Sequence, residues 1–185
     1  MANRTGTYVA FDGLNQTNPT LSDFRYYSTM QAWAAVRGKE FRYVNSHEKT
    51  SAVRDTSLRP TLERKVRERL TVSKSCLAIL SKDTRATGSM LSYEIEQVVD
   101  RYEIPLILTY PDFEIVCDPA SLAHRWPNAL RDRIQTGKGT MIHIPFKQGA
   151  ILDAITYQTV HNYSISGNMN FYSREAHINM GCIQA

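Results

Sequence analysis

A chain of 185 residues with 42% apolar and 22% charged side chains has the make-up of an ordinary globular protein, enough for one domain or one domain with an elaborated C-terminal end. No apolar run approaches the ~20 residues needed to span a bilayer, and Met1-Ala2-Asn3-Arg4-Thr5 lacks the apolar stretch of a secretory leader, so a cytoplasmic location without membrane contact is expected. Three widely separated cysteines, Cys76, Cys117 and Cys182, form neither a disulfide framework nor a zinc ligand set.

Along the chain, Tyr8-Val9-Ala10-Phe11 reads as a buried strand that ends at the turn signal Asp12-Gly13. A helix is predicted from about Thr20, with Asp23 completing a capping box, Phe24, Tyr27, Met30 and Ala34 facing the core, and Gly38 closing it. Phe41 to Val44 alternates as a strand does, and Asn45-Ser46-His47-Glu48 breaks it. Pro60 suits the first turn of a second helix whose Leu58, Leu62, Val66 and Leu70 repeat every four residues. Cys76 to Leu80 is the continuous apolar run of a central parallel strand. After a polar loop, Ser81 to Gly88, comes a helix bearing Leu91, Ile95, Val98, Val99 and Tyr102, then a strand from Pro105 to Tyr110. Leu122 to Ile134 is read as helical around Trp126-Pro127, Met141 to Ile144 as a fifth strand, and Ala150 to Tyr163 as a last helix. The tail from Ser164 is assigned no structure.

Strands alternating with helices at this spacing imply βαβ units, hence an α/β fold with a parallel sheet between two helical layers. Residues 1–150 are expected to form that α/β domain, and 151–185 a C-terminal helix and tail belonging to it. In such sheets ligands bind beyond the carboxyl ends of the strands. The net charge is +4, and Arg54, Arg59, Arg64, Lys65, Arg67, Arg69 and Lys74 fall in one stretch. They alternate with Asp55, Glu63 and Glu68, which favours the solvated face of an amphipathic helix over a patch for the phosphates of nucleic acid or of a dinucleotide.

Glycine-rich nucleotide loops, a nucleophile elbow and histidines at metal-ligand spacing are all absent from the sequence, so no metal is expected. What remains is a group of polar residues at predicted strand ends: Asp12, Asn15, Asn45, Ser46, His47, Ser81, Thr84 and Arg85. On the helix after the third strand, Glu94 lies roughly 85° from the centre of the apolar stripe at about 100° per residue. A carboxylate on that shoulder is placed either for a boundary salt bridge or for partial desolvation against a cleft.

Taken in order, Tyr-Val-Ala-Phe-Asp-Gly at 8–13, Asn45-Ser46-His47-Glu48, Arg54-Asp55-Thr56-Ser57, Arg67-Glu68-Arg69-Leu70, Ile79-Leu80-Ser81 with Thr84-Arg85, and Tyr93-Glu94-Ile95-Glu96 resemble the TIR-like domain of the ThsB proteins of Thoeris antiviral defence. The resemblance runs from about Tyr8 to Tyr110. It implies a flavodoxin-like (TIR-like) three-layer fold with a central, mainly parallel five-stranded sheet and a C-terminal extension. It further implies cleavage of the nicotinamide–ribose bond of NAD, with NAD as substrate and no separate cofactor, and Glu94 as the catalytic carboxylate. By position, Phe11 and Asp12 would border the nicotinamide-ribose side, Asn45, Ser46 and His47 would meet ribose or phosphate, and Arg85 a phosphate. The expected product is a cyclic or modified ADP-ribose that diffuses to an effector, with a homo-oligomer as the assembly. An aromatic often precedes the family's glutamate by a few residues, whereas this chain has Met90 and Leu91 there. The alternative reading is a non-catalytic nucleotide-sensing or protein-interaction module on the same fold.

Overall fold

The structure, a computed structural model, describes residues 4–14, 16, 18–37, 43–44, 59–162 and 164–184. Its strands are β1 (Gly6–Phe11), β2 (Tyr43–Val44), β3 (Ser73–Ile79), β4 (Leu106–Tyr110), β5 (Met141–Pro145) and β6 (Asn170–Phe171). Its α-helices are α1 (Phe24–Arg37), α2 (Arg59–Thr71), α3 (Met90–Glu96), α4 (Asn128–Gln135), α5 (Gln148–Tyr157) and α6 (Arg174–Asn179). The strands form one sheet in the order β2-β1-β3-β4-β5-β6, and every pairing is parallel. The predicted α/β three-layer fold is therefore present, with a sixth, two-residue strand added at one edge.

Successive strand residues point to opposite faces, so the apolar runs divide between two cores. Tyr8, Ala10, Cys76, Ala78, Leu80, Leu106 and Leu108 pack with Val66 and Leu70 of α2, Leu91 and Ile95 of α3, and Leu130 of α4. Val9, Leu77, Ile79, Ile107, Ile142 and Ile144 pack with Tyr27 and Met30 of α1 and with Ala150, Ile151, Ala154 and Ile155 of α5. The strands lack a polar face because helices cover both sides.

Several element boundaries differ from the expectation, each for a local reason. The first helix does not start near Thr20. Asn18 accepts hydrogen bonds from the Thr20 N–H and hydroxyl, and a short 3-10 turn, Pro19–Leu21, forms before α1. Asp23 completes no capping box, because its carboxylate turns inward to Ser81. Gly38, Phe41, Arg42 and Leu58 lie outside the described residues. β3 begins three residues early, at Ser73, where a strand can hold serines because Thr7 and Ser75 bond across to each other at 2.8 Å.

The helix after β3 is broken into α3 and a π-helical turn, Gln97–Arg101, closed by the Tyr102 N–H on the Gln97 carbonyl at 3.0 Å. Pro127 divides the next segment into a 3-10 stretch, Pro119–Arg125, and α4, since a proline ring lacks the N–H a continuous helix needs. α5 ends at Tyr157 rather than Tyr163, in a turn bridged between Thr159 and Asn162.

The tail that was assigned no structure supplies both β6 and α6. Asn168 and Asn170 hold it in place through side-chain amides that donate to the Arg133, Ile134 and Met141 carbonyls. Within the sheet, His143 Nδ1 accepts from the Tyr110 hydroxyl at 2.8 Å, that hydroxyl also accepts from the Trp126 indole N–H, and His143 Nε2 donates to the Asn168 carbonyl at 2.9 Å. That buried chain links β4, β5 and the tail. Burial also holds the His143 imidazole neutral, lowering its pKa to about 4.

Candidate active site

At the carboxyl end of β1, Asp12 continues the parity of Tyr8 and Ala10, and its side chain is fully buried. Its own loop begins with an Asx turn, the Leu14 N–H donating to Oδ1 at 2.9 Å. From the loop after β3, the Arg85 N–H donates to Oδ2 at 3.0 Å, and the guanidinium adds Nη2 to Oδ1 at 2.6 Å and Nε to both oxygens. This ion pair fastens the loop leading into α3 to the end of β1. Arg85 was expected to reach a substrate phosphate. Here its guanidinium is engaged with Asp12, because a buried carboxylate needs a bidentate cation close by.

Beside that clamp lies a carboxylate the sequence reading had treated as a cap. Asp23 is fully buried; Oδ2 accepts from the Ser81 hydroxyl at 3.0 Å, and Oδ1 has no hydrogen-bond partner. Burial raises its pKa to about 6, against the Ser81 hydrogen bond, with the nearby Asp12 charge pushing the same way as burial. Ser81 in turn accepts from the Asp83 N–H at 3.1 Å. Asp12, Ser81 and Arg85 are therefore brought together as expected. Phe11 points to the other face of the sheet, against Phe24 and Tyr27 with ring centroids 6.0 and 5.7 Å away. Asn15, Asn45, Ser46 and His47 lie outside the described residues.

Glu94 occupies the second turn of α3. The shoulder position becomes a buried one, 5% exposed, facing Tyr8 of β1. α2 is tied to α3 by Arg67 Nη1 donating to the Tyr93 hydroxyl at 2.6 Å, and to the residue after the π-helical turn by the Tyr102 hydroxyl donating to the Arg67 carbonyl at 3.1 Å. The Tyr8 hydroxyl donates to Glu94 Oε1, and Oε2 has no hydrogen-bond partner. Desolvation raises the Glu94 pKa to about 7. The Tyr8 hydrogen bond and the Arg69 charge oppose that rise, and the Asp12 charge adds to it. A carboxylate poised between its two states at neutral pH, with one oxygen held and one uncommitted, is suited to stabilising a developing positive charge.

The Thoeris protein ThsB, TIR-like domain, is the family whose model matches this chain, over residues 8–114. The chain belongs to that family. The ThsB TIR-like match spans β1 through β4 and includes each group assembled around Asp12 and Glu94. The remaining elements of this TIR-like protein, from α4 to α6, lie past the match and complete the sheet at its β4 edge.

Surface depressions elsewhere include carboxylates held by other side chains. At the α5–α6 junction, Asp153 accepts from the Tyr172 hydroxyl at 2.5 Å. Near the amino ends of β4 and β5, Asp100 pairs with Arg133. Among the described residues no group of His, Cys, Asp and Glu is placed to hold a metal ion, and no helix is long and apolar enough to cross a membrane.

Sequence reasoning located Glu94 and Asp12 but missed Tyr8, Asp23 and Arg69. Tyr8 carried a usable signal, since a tyrosine on the buried parity of a central strand needs a polar partner for its hydroxyl. Nothing in the local pattern identifies Arg69 as a cation whose charge acts on Glu94.

Proposed function

We propose that this protein cleaves the nicotinamide–ribose bond of NAD, with Glu94 as its catalytic carboxylate. The observation that carries the reading is a buried glutamate within the matched residues, with one oxygen lacking a hydrogen-bond partner; the resemblance of Tyr93-Glu94-Ile95-Glu96 to the family's glutamate segment supports it. Departure of nicotinamide leaves a cationic, oxocarbenium-like ribose. Glu94 in its ionised form stabilises that charge and accepts hydrogen bonds from ribose hydroxyls, and nicotinamide leaves readily enough that a second carboxyl acid is not required. Exclusion of water around Oε2 favours capture of the ribose by a group of the substrate itself, giving a cyclic or modified ADP-ribose instead of the hydrolysed one. That nucleotide is the diffusible signal to an effector of the defence system. A homo-oligomer in the cytoplasm is the working assembly.

Purified wild type and Glu94→Gln, incubated with NAD and followed by chromatography and mass spectrometry, test this reading. Nicotinamide release is expected from wild type and is expected to fall by on the order of 100-fold or more in the variant. Because the ionised form acts, the rate should decline as pH falls through about 7. Persistent absence of release, including in lysates of phage-infected cells, would replace the enzyme with the non-catalytic module.

A further inference from the structure

We propose that Tyr8 is the positioning residue of this site: its hydroxyl holds Oε1 of Glu94 and leaves the buried Oε2 as the oxygen without a hydrogen-bond partner. The proposal deepens the glycosidic reading and, as far as catalysis is concerned, rests on it.

Tyr8 sits on β1, which is paired on both sides, in register with Val44 of β2 and Cys76 of β3. Its side chain is 1% exposed and lies in the core shared with α2 and α3. A phenol on such a strand is fixed by the sheet, whereas a glutamate on a helix has three side-chain torsions, the last of them broad and two-fold. One hydrogen bond from the rigid partner fixes the plane of the carboxylate, whose two oxygens are otherwise equivalent. It also leaves the carboxylate under-satisfied, since an ionised carboxylate has about four acceptor sites.

The groups facing the pair decide how it titrates. From β3 comes the Cys76 thiol, whose pKa burial and the Glu94 charge both push up, so it stays a neutral neighbour. From the last turn of α2 comes the Arg69 charge, which favours ionised Glu94, and from the end of β1 the Asp12 charge, which opposes it. α4 also packs on α3, but its Arg133 is directed to Asp100. Burial and the Glu94 charge keep the Tyr8 phenol far from ionising, so it remains a donor throughout the range in which Glu94 changes state. Tyr8 therefore lowers the proton affinity of Glu94, and its loss should raise it.

The test is to titrate the Glu94 carboxyl itself in the full chain, by carbon NMR of protein labelled at the glutamate carboxyl carbon, with the resonance assigned by its disappearance in Glu94→Gln. In Tyr8→Phe the midpoint should move upward from about 7, by about one unit, a tenfold rise in proton affinity. The kcat for nicotinamide release should fall by about tenfold while KM changes little, as expected of a group that orients the reacting carboxylate without binding substrate. An unmoved midpoint in a folded Tyr8→Phe overturns the proposal. Should that variant fail to fold, 3-fluorotyrosine at position 8 keeps the size and makes the phenol a stronger donor, so the midpoint should move downward, and an unmoved midpoint again overturns it. The titration needs no turnover of NAD. A shifted midpoint with no nicotinamide release from wild type would overturn the glycosidic reading while upholding the Tyr8–Glu94 bond, and release with an unmoved midpoint would do the reverse.

Discussion

Asp12 and Glu94 are both buried carboxylates on the same side of the sheet, yet their surroundings differ sharply. Asp12 accepts from two backbone N–H groups and a guanidinium in a bidentate grip. Glu94 has the Tyr8 hydroxyl on one oxygen and no hydrogen-bond partner on the other. The first has the hydrogen bonding of a structural fastener. The second retains unused bonding capacity. Asp23 shares the second pattern, with one hydroxyl donor on Oδ2, no hydrogen-bond partner on Oδ1 and a pKa raised to about 6. Burial alone therefore does not distinguish these carboxylates; the completeness of their hydrogen bonding does.

The contrast can be broken most severely at Arg85. In Arg85→Met the apolar stem remains but Asp12 loses its cation inside the protein. Urea denaturation should show a loss of roughly 2–4 kcal/mol, toward the lower part of the range for breaking a buried pair, because Arg85 keeps 28% of its side chain exposed. A loss below 0.5 kcal/mol would mean that the backbone donors alone satisfy Asp12.

Glu94→Gln should act in the opposite direction. The folded-state pKa of about 7 lies above the ordinary glutamate range, so the folded protein binds more protons than the unfolded chain between about pH 4.5 and 7. Stability attributable to this group is thus lost as pH rises through that window. Removing the ionisable group should stabilise the protein by roughly 2–3 kcal/mol at pH 8 and by little at pH 5. Thermal melts at the two pH values check the sign, and equal effects at both would show that Glu94 ionises without penalty.

His143 gives the mirror image. Its folded pKa, lowered to about 4, lies below the unfolded value, so the unfolded chain binds more protons as pH falls from about 6.5 to 4. Acidification through that window should cost roughly 2–3 kcal/mol, and the cost should stand out in a Glu94→Gln background, where the opposing trend is gone. An acid limb unchanged by further replacement of His143 with Gln would refute this assignment.

The smallest effect is expected for Ser81→Ala, which removes the donor to Asp23. About 1 kcal/mol should be lost at pH 8, and less below pH 6, where Asp23 is protonated in any case. A pH-independent loss would assign the effect to the Asp83 N–H that Ser81 also accepts.

Periodicity and turn chemistry in the sequence alone determined the strand-helix alternation, the parallel sheet between two helical layers, and the placing of Asp12, Ser81 and Arg85 at the strand ends. These are properties of neighbouring residues, and an apolar run or a four-residue repeat states them locally. Glu94 was legible as a boundary residue on α3, and its role entered through resemblance to a family. The order of strands, the β6 edge and the docking of the tail were decided only in three dimensions, because Asn168 and Asn170 act on carbonyls far away in the chain. The same holds for the chemistry. Tyr8 and Glu94 are 86 residues apart, and Asp12 and Arg85 are 73 apart. Which buried carboxylate is satisfied and which is left with an uncommitted oxygen depends on where partners converge across the sheet, and no local pattern encodes that convergence.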